Sequence, residues 1–450
     1  MSRLTEWLFD KPRVAQGEVF SVLDVGTSKI ACFIARMDDQ GQPRVTGIGH
    51  QLAEGVRGGM IADMEAVQRA ITAAVATAEQ MAGETIERVT VNIAGPQIVS
   101  QTAAIELPLH GREITPGDLE RLLSQGQMLA PEDSQGHALE LIHTIPVHYM
   151  LDGQKGIRDP LGMIGNVLHT QLHLASAAFG PVRTLITAVA RCHLEVERLV
   201  VAPYASGLSC LVEDEMDLGC TVIDMGAGTT SLAIFADGRL MHVDGVPLGG
   251  GHITNDIARG LTTTLAHAER LKTLYGSAIP ASLDEREIID VPQVGEEAPE
   301  FANHVPKSHL IRVIQPRLEE TFEMVRVRLE KSGLNDVAGR RAVLTGGASQ
   351  LPGTREVAQR LLDKQVRLGR PLRITRPFTG GLSSITPMRH APAASTGLAE
   401  ATSGPAFATT AGLLAVAQQP DIAAAYSGIM DFTGGGNVFT RLGQWVKQNL

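Results

Sequence analysis

Two short loops hold the residues best suited to bind phosphate. Residues 24–29 read DVGTSK, and residues 224–230 read DMGAGTT. Glycine allows the left-handed dihedrals of a tight turn and bares backbone N–H groups, which can cradle phosphate oxygens together with neighbouring hydroxyls. This chemistry predicts phosphate binding by eight residues: Gly26, Thr27, Ser28, Lys29, Gly226, Gly228, Thr229 and Thr230.

An aspartate opens each loop. Asp24 and Asp224 can hold Mg²⁺ through its retained waters and can orient an attacking water, so they are the candidate metal ligands and catalytic residues. Lys29 can counter phosphate charge as a point donor. One such loop alone favours an ordinary hairpin, because aspartate and glycine are common in turns. Two matching loops and a third glycine turn at residues 345–349 (TGGAS) favour a phosphate site.

Apolar runs flank the loops and must position them. Residues 19–25 and 30–34 predict two strands around the first loop, and residues 220–224 and 231–235 predict two strands around the second. Residues 343–344 predict a strand that leads into the third turn. The strand–turn–strand arrangement therefore occurs twice, once in each half of the chain.

Apolar residues at helical spacing predict the elements that pack against these strands. The predicted helices are one that opens at Thr115-Pro116 and those at residues 63–82, 182–198, 253–274, 309–331 and 406–417. A further strand is expected at residues 90–94. We expect loops and exposed edges at residues 276–307, and a long loop at residues 378–405, where small and turn-forming residues dominate.

Composition limits the class of protein and its partners. A chain of 450 residues with 44% hydrophobic side chains predicts two or more domains, since single cores stop growing near about 250–300 residues. A net charge of −10 makes nucleic acid an unexpected partner. The four cysteines include no CxxC pair, which indicates a reducing compartment. No signal peptide or spanning segment is apparent, so we expect a cytoplasmic protein that at most lies on a membrane.

The C-terminal residues have the pattern of a helix that lies in a lipid interface. Three glycines at 434–436 form a hinge, after which Asn437 can cap a helix. An aromatic and apolar face opposite basic residues is typical of such helices, in which tryptophan prefers the headgroup boundary. The alternative is a terminal helix that packs on the protein's own core. The predicted membrane-contacting residues are Val438, Phe439, Arg441, Leu442, Trp445, Val446 and Lys447.

The ordered motifs at residues 24–29, 224–230 and 345–349 resemble the phosphate-1, phosphate-2 and adenosine motifs of the actin, Hsp70 and sugar-kinase superfamily. The resemblance covers nearly the whole chain. It implies an α/β fold of two actin-like domains, each built on a ribonuclease-H-type sheet, with ATP and Mg²⁺ in the cleft between them. It also implies further nucleotide-binding residues, with the adenosine near the last five: Gly249, Gly250, Glu269, Lys272, Gly346, Gly347 and Ala348. Without the motifs, Glu269 and Lys272 would be read as a solvated helix face.

Other segments resemble the FtsA family of bacterial cell-division proteins. They are residues 157–163 (IRDPLGM), 212–219 (VEDEMDLG), 249–258 (GGGHITNDIA) and 268–272 (AERLK). Residues 85–166 also lie where that family carries an inserted α+β subdomain in its first domain. The resemblance implies a protein that polymerises, recruits the tubulin-like protein FtsZ and later division proteins, and lies on the cytoplasmic face of the inner membrane at the division site.

These expectations divide the chain into seven segments. The first actin-like domain takes residues 15–84 and 167–205, around the insertion at 85–166. The second takes residues 206–400, with its own subdomain at about 245–310. The remaining three segments are a return helix at 401–425, a flexible linker at 426–436 and the membrane-targeting helix at 437–450.

One departure from the superfamily pattern bears on hydrolysis. Relatives place Glu or Gln where this chain has residues 202–206 (APYAS), so the usual group that positions the hydrolytic water is missing. We therefore predict ATP binding with slow hydrolysis. Two alternatives of the same fold stay open: a pilus-assembly actin-like protein without a membrane-binding tail, and a soluble kinase of the sugar or acetate type.

Overall fold

The computed structural model describes residues 17–38, 43–129, 132, 136–295, 302–372 and 402–418. The strands are β1 (Val19–Val25), β2 (Lys29–Met37), β3 (Pro43–Leu52), β4 (Val56–Arg57), β5 (Met60–Ile61), β6 (Arg88–Ile93), β7 (Ile98–Glu113), β8 (Leu139–Leu151), β9 (Gln154–Ile157), β10 (Ile164–Ala178), β11 (Glu195–Val201), β12 (Cys220–Met225), β13 (Thr230–Ala236), β14 (Arg239–Val246), β15 (Ile288–Val291), β16 (Asn303–Pro306), β17 (Arg341–Thr345) and β18 (Gln365–Leu368). The α-helices are α1 (Met64–Ala82), α2 (Pro116–Gln127), α3 (Phe179–Ala190), α4 (Ala202–Cys210), α5 (Glu213–Leu218), α6 (Gly250–Gly260), α7 (Leu265–Tyr275), α8 (Lys307–Lys331), α9 (Thr354–Leu362) and α10 (Ala408–Ala417). Short 3₁₀ turns cover Gly347–Gln350 and Pro405–Phe407.

Two five-stranded sheets are built on one plan. The first has the order β11-β6-β1-β2-β3, and the second has the order β18-β17-β12-β13-β14. In each sheet the first three strands along the chain are antiparallel neighbours, and the fourth and fifth continue parallel to the first. The expected α/β fold of two actin-like domains with a ribonuclease-H-type sheet in each is confirmed.

Helices cover the sheets because the central strands are apolar on both faces. Strands β1 and β2 are almost wholly buried, as are β12 and β13. In the first domain α1 packs on one face and α10 on the other. In the second domain, α8 contributes Ile314, Leu318 and Phe322 to the core, and all three are fully buried. Burial of a side chain of this size stabilises the fold by about 1.5–3 kcal/mol.

Two predicted helices are wrong in extent. The helix predicted at 182–198 ends at Ala190, because His193 has a φ of 60° and the β-branched run that follows forms β11. The helix predicted at 253–274 is two helices, α6 and α7. They separate at Thr262, whose φ is 55°, and the Thr264 side chain then caps α7 by accepting the backbone N–H of His267.

An inserted unit follows β6. Its four-stranded antiparallel sheet has the order β7-β10-β8-β9 and carries α2 on one side. The cap predicted at Thr115-Pro116 forms, since Asp118 accepts hydrogen bonds from the backbone N–H and the hydroxyl of Thr115. The insertion is thus present, but the expected limits of 85 and 166 do not match the sheets. Strand β6 pairs with β1 of the first sheet, and β10 pairs with β7 and β8.

Arg239 joins this inserted unit to the second domain. It lies at the start of β14, and its guanidinium donates hydrogen bonds to the backbone carbonyls of Pro146 (2.8 Å), Val147 (3.1 Å) and Arg158 (2.8 Å). The same guanidinium lies 5.5 Å from the ring centroid of Tyr149. One side chain therefore ties β14 to two segments of the inserted unit.

Helices α4 and α10 cross where the chain passes between the two domains. Helix α4 follows β11 and leads into the second domain, and α10 leads from the second domain back onto the first sheet. At the crossing, Gly412 lies against Ala205 so closely that an added Cβ would overlap the Ala205 carbonyl oxygen. The absence of a side chain at Gly412 is what allows the two backbones to touch.

Some expected features fall outside the described residues. These are almost all of the long loop at 378–405, the linker at 426–436 and the helix at 437–450 with its membrane-contacting residues. Among the helices that are described, none combines the length and the apolar character that crossing a bilayer requires.

We predict that Gly412→Ala lowers the free energy of unfolding by about 1–3 kcal/mol or more, because the added methyl group meets backbone that cannot rotate away. Chemical denaturation of the full chain measures the change. Gly180→Ala is the matched control: Gly180 also lies in a helix, and nothing lies within 4 Å of an added Cβ there. The control should be neutral or gain up to about 1 kcal/mol from helix propensity. Equal effects of the two substitutions would contradict the close approach.

We predict that Arg239→Ala loosens the inserted unit and costs about 2 kcal/mol, since three carbonyls lose a charged donor. Hydrogen exchange of the amides in β8 should become faster while exchange in α8 stays unchanged. Arg326→Ala serves as the control, because that exposed arginine only faces Glu330 along one helix, at 3.9 Å. Unchanged exchange in β8 would show that Arg239 does not hold the unit.

Candidate nucleotide site

The two predicted phosphate loops face each other across the interdomain cleft. Each is the turn of the first hairpin of its sheet, and each is closed by an equivalent hydrogen bond. The Gly26 N–H donates to the Lys29 carbonyl at 3.0 Å, and the Gly226 N–H donates to the Thr229 carbonyl at 2.9 Å. A Cβ added at Gly228 would overlap the side chain of Thr27, so the loops are in near contact.

A cavity of about 920 Å³ extends from these loops, which is the size range of small-molecule sites. The structure brings most of the predicted residues together around it: Asp24, Gly26, Thr27, Ser28, Lys29, Asp224, Gly226, Gly228, Thr229, Gly250, Glu269, Lys272, Gly346, Gly347 and Ala348. The cavity also contacts α6, α7 and the 3₁₀ turn after β17. Binding by these residues stays a prediction.

Two predicted residues do not line the cavity. The Thr230 hydroxyl donates to the carbonyl of Leu248 at 2.8 Å, and its side chain is fully buried, so it cannot offer that hydrogen to a phosphate. Thr230 is the first residue of β13, where the alternation of the strand turns its side chain away from the turn. Gly249 lies behind the second loop, against the carbonyls of Gly226 and Ala227. It supports the loop rather than facing the cavity.

Asp24 is buried at the base of the cleft, and Asp224 is half-buried there. Asp24 Oδ1 accepts from Asn92 Nδ2 and Asp24 Oδ2 from the Thr410 hydroxyl, both at 2.8 Å. Asp224 Oδ2 accepts from the hydroxyls of Ser206 (2.5 Å) and Thr409 (2.8 Å). Burial raises the pKa of both carboxyl groups, and the neighbouring charge of Lys29 opposes that rise.

Lys29 is held by the segment that precedes α10. Its Nζ donates to the carbonyl of Ala406 and lies 3.3 Å from the ring centroid of Phe407. Burial lowers the pKa of Lys29, while Asp24 and Asp224 raise it. The half-buried lysine is thus placed as the positive charge beside the two aspartates. A cation over an aromatic face gains about 0.5–2 kcal/mol.

Glu269 and Lys272 form a hydrogen-bonded cluster at the other end of the cavity. Lys272 Nζ donates to Glu269 Oε2 (2.7 Å), Thr254 Oγ1 (2.8 Å) and the Gly250 carbonyl (3.0 Å). The Lys272 side chain is only 15% exposed. It is therefore not part of a solvated helix face, and it joins α7 to the start of α6 beside Gly250.

Sequence reasoning missed four residues that contact the aspartates: Asn92, Ser206, Thr409 and Thr410. Ser206 lies in residues 202–206, the segment that departs from the superfamily pattern, and it contacts Asp224 through a hydroxyl. The two threonines are adjacent in a helix that is otherwise apolar. A polar pair in such a helix is a signal, since buried hydroxyls need partners, but the sequence does not say which partners.

The donor set fits magnesium and a nucleotide. Mg²⁺ prefers carboxylates with retained waters and phosphate oxygens, and the cleft offers two carboxylates beside glycine turns. In the described part of the chain, no group of three or more His, Cys, Asp or Glu side chains could hold a metal ion. A cation here would therefore depend on Asp24, Asp224, water and phosphate together.

Family models match two regions of the chain. The model described as "Cell division protein FtsA" matches residues 221–412, and the model described as "SHS2 domain inserted in FTSA" matches residues 95–176. The second match coincides with the sheet of the inserted unit, β7 to β10. The pilus-assembly protein in "PilM-PilN type IV pilus biogenesis complex" has a similar fold, with a TM-score of 0.59 at 19% identity over 91% of this chain and 99% of that chain.

Curated relatives match the chain over nearly its full length. "Cell division protein FtsA" of Rhizobium meliloti (strain 1021) is 42% identical over 97% of this chain and 96% of its own length. The protein of the same name from Neisseria meningitidis serogroup B (strain MC58) is 33% identical over 97% and 99%. That from Escherichia coli (strain K12) is 32% identical over 78% and 84%. With its two actin-like domains and the insertion in the first, the chain belongs to the FtsA family of cell division proteins.

Proposed function

We propose that this protein binds ATP with Mg²⁺ in the interdomain cleft and uses that binding to control its assembly in cell division. The observation that carries the proposal is the facing pair of glycine loops, each with an aspartate at its base and with Lys29 close enough to interact with both carboxylates. The full-length relatives named as FtsA supply the cell-division context.

In this proposal, different groups of residues around the cleft bind different parts of the nucleotide complex. The turns at residues 26–28 and 226–229 hold the phosphates with backbone N–H groups, and Lys29 offsets their charge. Asp24 and Asp224 hold the cation, which when bound neutralises phosphate charge. Glu269, Lys272 and residues 346–348 hold the nucleoside. Because these groups come from both domains, ATP favours the closed cleft by its greater affinity for that state.

Hydrolysis is proposed to be slow. Ala202 lines the cavity in the segment where relatives place Glu or Gln, and Ser206 of the same segment uses its hydroxyl on Asp224. Neither side chain is a general base. A water would have to be oriented by Asp24 or Asp224, whose carboxylates are already engaged by hydroxyls and by Asn92.

Assembly and membrane attachment complete the proposal. The closed form polymerises, and polymerisation brings many C-terminal helices together, so individually weak membrane contacts act through avidity. The helix predicted at residues 437–450 has Phe439 and Trp445 for the lipid interface. On this basis the protein tethers FtsZ to the cytoplasmic face of the inner membrane at the division site and recruits later division proteins.

The alternatives of the same fold have less support. The pilus protein shares the fold at 19% identity, whereas FtsA relatives reach 42% over nearly the whole chain. A kinase of the sugar or acetate type has no use for a hinged apolar and basic tail such as residues 434–447. The cell-division proposal accounts for the insertion, the cleft and the tail together.

We predict that Lys29→Met weakens binding of Mg-ATP by about 10-fold or more, equal to about 1.4 kcal/mol, because the two carboxylates and the phosphates then lack the lysine's positive charge. Equilibrium titration with a fluorescent ATP analogue measures the affinity. Lys307→Met is the control, since Lys307 pairs with Glu287 and Asp284 away from the cleft. Unchanged affinity in Lys29→Met would argue against a triphosphate in this cleft.

We predict that the full chain binds anionic liposomes and forms filaments on them with Mg-ATP, whereas a chain ending at Gly436 stays in the supernatant. Co-sedimentation and electron microscopy measure binding and filaments, and added FtsZ should sediment only with the full chain. Trp445→Glu should abolish binding and Trp445→Phe should keep it, since apolar area drives insertion. Equal sedimentation of the full and shortened chains would remove the tail from the proposal.

A further inference from the structure

One short segment contacts all three predicted nucleotide loops. The Pro405 carbonyl accepts from the Gly346 N–H at 3.1 Å and from the Thr345 hydroxyl at 3.3 Å, which anchors the adenosine turn. The next carbonyl, that of Ala406, accepts from Lys29 of the first phosphate loop. Two residues further on, α10 begins, and its first turn reaches both aspartates.

The two aspartates are held by neighbouring residues of this helix. Thr409 donates to Asp224 of the second domain and Thr410 donates to Asp24 of the first, each at 2.8 Å. Successive helical residues point about 100° apart, since a turn takes about 3.6 residues. One turn of helix can therefore reach a carboxylate on either side of the cleft base. Thr409 lines the cavity, whereas Thr410 is fully buried behind Asp24.

The contacts restrict how each carboxylate can turn. Asp224 takes both of its hydroxyl bonds, from Thr409 and Ser206, on the single oxygen Oδ2, and those two hydroxyls lie 3.0 Å apart. Asp24 is held on both oxygens, by Asn92 and by Thr410. Threonine suits this task because its branched Cβ restricts χ1, so its hydroxyl is already directed before it bonds.

We propose that Thr409 and Thr410 are positioning residues that set Asp24 and Asp224 in the orientation a magnesium–nucleotide complex requires. The proposal rests on nucleotide binding in the cleft as proposed above. The threonines themselves need not touch the cation. They act through the aspartates, so their loss should affect the metal-dependent part of nucleotide affinity and leave the metal-independent part in place.

The test compares ATP affinity with Mg²⁺ and with excess EDTA in the full chain. Thr409→Val and Thr410→Val remove one hydroxyl each. Each should lower the ratio of the ATP affinity with Mg²⁺ to the ATP affinity in EDTA by about 10-fold, while the affinity in EDTA changes less than about 2-fold. Thr409→Ser and Thr410→Ser retain the hydroxyl and should keep the ratio within about 3-fold of the unsubstituted chain. Thr221→Val is the matched control, because the hydroxyl of that buried threonine has no hydrogen-bond partner among the residues that the structure describes.

The outcomes separate this inference from the proposed function. If the unsubstituted chain binds Mg-ATP and both valine variants have the same ratio of affinities as that chain, the positioning role alone is overturned. An equal loss with Mg²⁺ and with EDTA also overturns it, since that result indicates a merely structural hydroxyl. A chain that binds no ATP overturns the proposed function and this inference with it.

A second measurement does not depend on how the valine variants fold. In the unsubstituted chain, Mg²⁺ added with ATP should slow hydrogen exchange in the first turn of α10 beyond the effect of ATP in EDTA, because a cation on the aspartates also orders the helix that holds them. Exchange in this turn that is equal with and without Mg²⁺ would overturn the coupling between the helix and the metal site.

Discussion

Two carboxylates that face each other across one cleft, Asp24 buried and Asp224 half-buried, are the constraint around which this molecule is organised. An unpaired buried carboxylate is costly, and two that face each other are costlier still, so each must be paired or hydrogen-bonded. Lys29 supplies the positive charge, and Asn92, Ser206 and the two threonines of α10 supply the hydrogen bonds. These groups come from both domains and from the return helix. The cleft base therefore requires the whole fold to be assembled around it.

The repeated sheet explains why the charges face each other. Each domain places an apolar hairpin at the centre of its sheet, ends the first strand with an aspartate and closes the turn with the same glycine hydrogen bond. When two such sheets meet, their turns and aspartates meet as well. The proposed nucleotide site is thus two copies of one local structure, to which the second domain adds the separate cluster of Glu269 and Lys272.

Much of this could be predicted from local sequence. Aspartate and glycine at the end of an apolar run favour a tight turn between two strands, so the two loops and their strands could be found. The helix predicted at 182–198 was too long because β11 is stabilised by its neighbour β6, a partner distant in sequence. Thr230 was misassigned because strand alternation, not residue type, decides where its hydroxyl points. The contacts of Thr409 and Thr410 span hundreds of residues and have no local signature beyond a polar pair in an apolar helix.

The close backbone approach of α4 and α10 at Gly412 also marks the place where a rotation between the two domains would be centred. The chain passes from one domain to the other along these two helices. At their crossing backbone meets backbone at Gly412, and the hydroxyls of Ser206 and Thr409 lie 3.0 Å apart. A rotation of one domain against the other would be centred at this crossing. The displacement would be smallest at the crossing and largest at the outer edges of the domains. The cleft base lies one helical turn away, beside Thr409, so its aspartates would separate little while the far edges of the domains travel widely. A small change at the base would therefore be magnified at the outer edges of the domains.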